Sequence, residues 1–146
     1  MIKIITLNSN AKTWQEMFEE VADYLLRQGI VKEGYKEFLM NREKEFPTGL
    51  KFNEDFAIAL PHADIKYSNE QCAVLVKPSN NVFFNLMDDK NASVKVSLVV
   101  FLTITDPTIY NKFLSRLVTI FQDTKVQRFI NNGDLEPLKE AIEKIE

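Results

Sequence analysis

Cysteine and histidine are the rarest chemically reactive side chains in this sequence. The 146 residues include one cysteine, Cys72, and one histidine, His62. A lone cysteine excludes an intrachain disulfide, and a structural zinc site takes about four cysteine or histidine ligands, which this chain does not have. Any chemistry that needs an imidazole therefore has to use His62.

Excess positive charge and long apolar runs are also missing. Lysine and arginine total 18 against 21 for aspartate and glutamate, with no long basic stretch, which argues against a nucleic-acid partner. The apolar run at residues 96–104 is much shorter than the roughly 20 residues of a membrane span, so it indicates a buried strand. The amino terminus lacks the apolar core and cleavage site of a secretory signal, so we expect a cytoplasmic protein.

The chain does contain enough apolar residues for one core. A hydrophobic content of 45% over this length is typical of a single domain. No repeat, low-complexity tract or linker divides the sequence, so we predict one domain over residues 1–146. Because the sequence ends at Glu146 without a linker, we also expect a free-standing subunit.

Hydrophobic periodicity predicts an α/β protein. The strand-like runs are residues 2–7, 56–60, 72–77 and 94–104. Apolar residues at helical spacing predict one helix that stops at Gly29 and a second that ends before Pro47. The last third of the chain has the same spacing, with breaks at Asp123 and Gly133. The predicted order is one strand, two helices, three strands and three helices, with a central sheet covered on both faces. Residues 78–92 can add a small strand or hairpin.

His62 stands at the end of AIALPH, residues 57–62. Pro61 fixes its own φ and keeps Leu60 extended, so the ring projects from a rigid strand end. Ligand crevices form at strand ends in sheets that helices cover, and imidazole is neutral and nucleophilic near neutral pH. Taken alone, the residue is either a reactive centre or a packed structural histidine.

Two upstream residues can complement a reactive His62. Arg42, near the end of the second predicted helix, offers a planar guanidinium for phosphate oxygens, with a structural ion pair as the alternative. Thr48 follows Pro47 and can donate its hydroxyl to an anion, although Pro-Thr-Gly is also ordinary turn sequence.

The segment NREKEFPTGLKFNEDFAIALPHAD, residues 41–64, resembles the signature of the enzyme IIA domains of the bacterial sugar phosphotransferase system. It is most similar to the galactitol-type branch of the fructose and mannitol superfamily. That family has an R-E-x-x-F-P-T-G segment followed by a G/A-I-A-I-P-H segment, which here read REKEFPTG and AIALPH. The resemblance covers nearly the whole chain and implies a three-layer α/β/α sandwich with a central mixed sheet.

The resemblance also implies a phosphotransferase with a phosphohistidine intermediate. Enzyme IIA domains accept a phosphoryl group from the phosphocarrier protein HPr and pass it to a cysteine of the cognate enzyme IIB during uptake of a sugar or sugar alcohol. His62 falls on the phosphoacceptor position, and Arg42 and Thr48 are our candidates for stabilising the phosphate and the transition state. No metal or organic cofactor is implied, and contact with the membrane would be indirect, through enzyme IIC.

One departure from the family pattern concerns a second active-site histidine. Mannitol-, fructose- and nitrogen-type relatives have it at the start of the helix after the long strand, and the aligned position here is Tyr110. The tyrosine hydroxyl can donate a hydrogen bond there, or the ring can simply pack in the helix. Two other functions stay open: a regulatory phosphohistidine module for a non-transport partner, and a binding domain with an inert His62. The sequence does not identify the sugar.

Overall fold

The computed structural model describes residues 2–145 and contains a five-stranded mixed sheet and a two-stranded hairpin. The strands are β1 (Lys3–Ser9), β2 (Gly49–Asn53), β3 (Phe56–Ala59), β4 (Cys72–Pro78), β5 (Phe83–Asn85), β6 (Ser93–Lys95) and β7 (Leu98–Thr103). The order across the sheet is β1-β4-β7-β3-β2. β1 is parallel to β4 and β3 is parallel to β7, whereas the pairs β4 with β7 and β2 with β3 are antiparallel.

Five helices surround the sheet. They are α1 (Trp14–Arg27), α2 (Tyr35–Glu45), α3 (Pro107–Phe121), α4 (Thr124–Asn131) and α5 (Glu136–Glu143). Side chains cap three of the amino termini: Thr13 accepts from the third residue after it, and Asp106 and Asp123 accept from the second residue after each. Among the helices of residues 2–145, none has both the length and the hydropathy needed to cross a bilayer.

Two cores lie on opposite faces of the sheet, because side chains alternate along each strand. In β7, Val99 and Phe101 pack with α1 and α2, whereas Leu98, Val100 and Leu102 pack with α3, α4 and α5. Every residue of β7 is buried, which explains why its sequence is apolar from Leu98 to Leu102. The predicted three-layer α/β/α sandwich with a central mixed sheet is therefore confirmed.

The strand count differs from the prediction in two places. Residues 94–104 were expected to form one strand, but the chain breaks after β6, where the Ser97 N–H donates to the Ala57 carbonyl at 2.7 Å. β6 then pairs with β5, which is the small extra strand allowed for residues 78–92. β2 was not predicted, because its sequence GLKFN is short and half polar, and its only strand partner among residues 2–145 is β3.

One edge of the sheet collects several chain ends. The parallel strands β3 and β7 both run toward it, and three residues separate the end of β7 from the start of α3. The last turns of α2 reach the same region, since Arg42 lies beside residues of α3 in a surface cleft. This edge therefore brings together the segments that carry the predicted site residues.

Candidate active site

His62 lies just beyond the end of β3 and is held against β7. The Leu102 N–H donates to the Pro61 carbonyl at 3.1 Å, so His62 and Leu102 form an isolated parallel bridge. Pro61 is buried, and the imidazole is half-buried. The backbone of the histidine is thus fixed by a strand contact on one side and by proline on the other.

The imidazole has a defined tautomer. Its Nδ1 lies 2.8 Å from the Leu60 carbonyl oxygen, which can only accept, so Nδ1 carries the proton and Nε2 keeps a lone pair. Burial lowers the pKa of His62, the Leu60 bond opposes this effect, and the positive charge of Arg42 adds to it. The net result is a neutral ring near neutral pH. A backbone carbonyl has no signature in the sequence, so sequence analysis missed Leu60 as the orienting group.

A cleft of about 320 Å³ opens beside the ring. Its walls come from α2, from the segment after His62, from β7 and from the start of α3. The lining residues are Phe38, Arg42, His62, Ala63, Asp64, Ile65, Leu102, Ile104, Pro107 and Tyr110. Three of the four predicted site residues, His62, Arg42 and Tyr110, therefore meet in one place. Within residues 2–145, no group of three or more His, Cys, Asp or Glu side chains is arranged to hold a metal ion.

Arg42 supplies the positive charge of the cleft. Its guanidinium lies over the ring of Phe46, 5.4 Å from the ring centre, which leaves the N–H edges open. Among residues 2–145, no carboxylate oxygen lies within 4.0 Å of it. The structural ion pair considered as an alternative is thus not formed there, and the donors are available to an anion.

Tyr110 faces His62 across the cleft. The two ring centres are 5.6 Å apart, and the Tyr110 hydroxyl is buried without a hydrogen-bond partner among the described residues. Burial raises the pKa of the phenol, although Arg42 opposes the shift, so the hydroxyl keeps its proton and can donate it. A buried donor without a partner is unusual, and the residue that carries it lines the cleft.

The structure places Thr48 differently from our prediction. It does not line the cleft: its hydroxyl donates to the Glu43 carboxylate at 2.9 Å, and its N–H donates to the same carboxylate at 2.8 Å. The direct contact with phosphate that we predicted is therefore not supported, because the hydroxyl proton is already in use. Thr48 is instead linked to the site by its backbone, since its carbonyl accepts the Leu60 N–H at 3.3 Å.

Comparison with known families identifies the chain. The family described as "Phosphoenolpyruvate-dependent sugar phosphotransferase system, EIIA 2" matches residues 2–145. Two curated relatives are the galactitol-specific EIIA components of the phosphotransferase system from Escherichia coli K12 and O157:H7. Each is 32% identical to this chain over 129 residues, which is 88% of this chain and 85% of the relative.

Solved structures agree on the fold. The complex of enzyme IIAMTL and phosphorylated enzyme IIBMTL from Escherichia coli contains a chain that matches with a TM-score of 0.69 at 20% identity, covering 97% of this chain and 94% of that one. The nitrogen regulatory protein IIA-Ntr from Neisseria meningitidis matches with a TM-score of 0.67 at 19% identity, covering 94% and 92%. With the family match over residues 2–145, the chain belongs to the EIIA 2 family of the phosphoenolpyruvate-dependent sugar phosphotransferase system, whose members are phosphotransferases that use a phosphohistidine intermediate.

Proposed function

We propose that this chain accepts a phosphoryl group from HPr on Nε2 of His62 and passes it to a cysteine of a galactitol-type enzyme IIB. The observation that carries the proposal is the bond between His62 Nδ1 and the Leu60 carbonyl, which leaves Nε2 as a nucleophile beside a cleft that contains a free guanidinium. The single-domain organisation and cytoplasmic location predicted from the sequence are part of the same proposal.

The first transfer begins with a neutral ring. The Nε2 lone pair attacks phosphorus, the bond from phosphorus to the histidine nitrogen of phospho-HPr breaks, and that electron pair returns to HPr. No proton has to move, since His62 keeps hydrogen on Nδ1 and becomes a phosphorylated imidazolium. The Leu60 carbonyl stabilises the positive charge that develops on this ring.

The phosphoryl oxygens need donors while they move between proteins. Arg42 offers guanidinium N–H groups, and Tyr110 offers a protonated hydroxyl that has no partner among residues 2–145. Phosphoryl transfer depends mainly on positioning and charge stabilisation, so these two residues and His62 are a sufficient set. In the second transfer, a thiolate of enzyme IIB attacks phosphorus and Nε2 regains its lone pair.

An apolar rim supports docking of both partners. We define it as Phe46, Ile65 and Ile109, which are 57%, 40% and 40% exposed. Ile65 lines the cleft, Phe46 contacts the Arg42 guanidinium, and Ile109 precedes Tyr110 in α3. Exposed apolar side chains around a reactive group favour a protein partner, and a rim of this size suits a brief encounter.

The sugar class is proposed from the relatives. The curated relatives at 32% identity are galactitol-specific EIIA components, and this chain has Tyr110 where mannitol-, fructose- and nitrogen-type members have a second histidine. We therefore expect discharge to a galactitol-type enzyme IIB in preference to a mannitol-type one.

The test is a reconstituted transfer. The chain is incubated with phosphoenolpyruvate, enzyme I and HPr, and its intact mass is measured before and after acid treatment. One acid-labile phosphoryl group is expected on the wild-type chain and none on His62→Ala or His62→Gln, with thermal unfolding of both variants as the control for folding. Purified galactitol-type or mannitol-type enzyme IIB is then added.

Each outcome decides between functions. Loss of the phosphoryl group to galactitol-type enzyme IIB supports the proposal in full. Phosphorylation without discharge to either enzyme IIB would favour the regulatory module for a non-transport partner. Absence of phosphorylation, with HPr itself charged, would mean that His62 is inert and that the chain is a binding domain.

A further inference from the structure

Glu43 is a buried carboxyl group that the transfer chemistry does not use. It follows Arg42 in α2, but its side chain points inward, and the residue is only 5% exposed. Among residues 2–145, no lysine or arginine nitrogen lies within 4.0 Å of its oxygens. A buried acid without an ion pair is uncommon, and its oxygens need hydrogen-bond donors instead.

Both carboxyl oxygens bind one residue. Oε2 accepts the Thr48 N–H at 2.8 Å, and Oε1 accepts the Thr48 hydroxyl at 2.9 Å. These bonds span the turn between α2 and β2, where Pro47 and Thr48 are both buried. The carboxyl group therefore fixes the position of the Thr48 peptide relative to the helix that carries Arg42.

Two further hydrogen bonds connect Thr48 to the reactive ring. The Thr48 carbonyl accepts the Leu60 N–H at 3.3 Å, and the Leu60 carbonyl accepts the Nδ1 proton of His62 at 2.8 Å. Arg42 and His62 lie far apart in the sequence, on α2 and after β3. The path through Glu43, Thr48 and Leu60 is a direct connection between the segments that carry them.

We propose that Glu43 is a positioning residue for phosphoryl transfer, acting through Thr48 and Leu60 to hold His62 as the Nδ1–H tautomer with Nε2 free. This inference rests on the proposed role of His62 as the phosphoacceptor. Free neutral histidine prefers the opposite tautomer, with hydrogen on Nε2, and in that form Nε2 has no lone pair with which to attack phosphorus. The hydrogen bond made by one ring nitrogen sets the state of the other, so the placement of the Leu60 carbonyl decides which form is present.

The connection works by hydrogen bonding and not by charge. The pKa of His62 responds to burial, to Leu60 and to Arg42, and Glu43 is not among its causes. A glutamine at this position supplies the same geometry, because its carbonyl can accept the Thr48 N–H while its amide group donates to the Thr48 hydroxyl. Glu43→Gln is therefore the conservative variant, and Glu43→Ala is the disruptive one.

The test uses the single histidine of the chain. In protein labelled with ¹⁵N, the imidazole nitrogen spectrum contains only His62, so its tautomer can be assigned directly. We expect the Nδ1–H form in the wild type, in Glu43→Gln and in the control Glu45→Ala, whose side chain is exposed on the same helix. Glu43→Ala is expected to show a mixture of tautomers. Its single-turnover rate of phosphorylation by phospho-HPr should fall about ten- to a hundredfold, with little change in the KM for HPr.

Thr48→Val provides the second variant in case Glu43→Ala does not fold. It keeps the shape of threonine and the backbone bond to Glu43 but loses the hydroxyl bond, so a smaller change in the same direction is expected. Folded Glu43→Ala or Thr48→Val protein with a wild-type tautomer and rate would overturn the inference. Failure of the wild type to accept phosphate from HPr would instead refute the proposed function, and the tautomer measurements would still decide the role of Glu43.

Discussion

The buried Glu43 carboxyl group should make the stability of the protein depend on pH. Burial raises its pKa to about 7 from an ordinary value of 4.5, and the Thr48 bonds and the charge of Arg42 only partly offset that effect. At pH values between these two pKa values, the Glu43 carboxyl group is therefore mostly protonated in the native state and mostly ionised in the unfolded chain. Stability from this group is fully present below the unfolded pKa and is lost as pH rises through the folded pKa.

The magnitude follows from the two pKa values. They differ by about 2.5, and each unit corresponds to about 1.4 kcal/mol, so ionising the buried group costs about 3 kcal/mol of unfolding free energy in total. Most of this change, about 2.5 kcal/mol, falls between about pH 8 and pH 5. A typical domain has only about 5–15 kcal/mol of stability, so the effect is large enough to measure.

The assay is urea unfolding of the wild type and of Glu43→Gln across that pH range. Glutamine cannot ionise, and the other carboxyl groups titrate equally in both proteins, so their contributions cancel in the difference. We expect the stability of the wild type relative to Glu43→Gln to increase by about 2.5 kcal/mol from about pH 8 to pH 5. A difference that stays constant over this range would show that the carboxylate is not destabilised by burial, and the reasoning would be wrong.

Four further predictions concern the cleft and the core. Arg42→Gln should slow phosphorylation of His62 about a hundredfold, as measured by rapid quench, because the proposed cycle uses the guanidinium to bind phosphate. It should also raise the pKa of the His62 ring in an NMR titration, because the charge of Arg42 lowers that pKa; an unchanged rate would exclude Arg42 from the site. Tyr110→Phe should shift the phosphoryl equilibrium about tenfold or more back toward HPr, through loss of one hydrogen bond of about 1.5–3 kcal/mol to the charged phosphoryl group, without lowering the unfolding free energy. Ile65→Lys should raise the KM for phospho-HPr with little change in kcat, and an unchanged KM would remove Ile65 from the docking rim. Leu117→Ala, at a fully buried position of α3, should cost about 2–5 kcal/mol in urea unfolding while His62 is still phosphorylated.

The elements that the sequence predicted correctly are those whose pattern reflects burial. The apolar run of β7 from Leu98 to Leu102 corresponds to a strand covered on both faces, and Gly29, with a φ of 73°, stands just beyond α1 where the helix was expected to stop. β2 has no such pattern, because it is an edge strand of five residues formed by pairing with β3. The break between β6 and β7 depends on the tertiary contact of Ser97 with Ala57, which local sequence does not encode.

The residues of the candidate site also divide into those with a sequence signal and those without one. His62 and Arg42 were found because their side chains are chemically distinctive and stand in recognisable motifs. Leu60 was missed because it acts through a carbonyl that every residue possesses. Glu43 was missed because glutamate on a helix usually faces solvent, and only the bonds to Thr48 show that this one faces inward. Thr48 was selected for its hydroxyl, but its connection to His62 runs through its backbone.

The composition of the cleft suits a carrier that has to release what it binds. In the proposed cycle, phospho-His62 gains contacts from Arg42 and Tyr110, which both line the cleft. A hydrogen bond to a charged group contributes about 1.5–3 kcal/mol, so each additional cation on the phosphorylated state would slow discharge about tenfold or more. Transition-state stabilisation helps only if the phosphorylated intermediate is not stabilised equally. A fixed tautomer meets this condition, because the Leu60 bond prepares Nε2 for attack without adding a contact to the phosphoryl group.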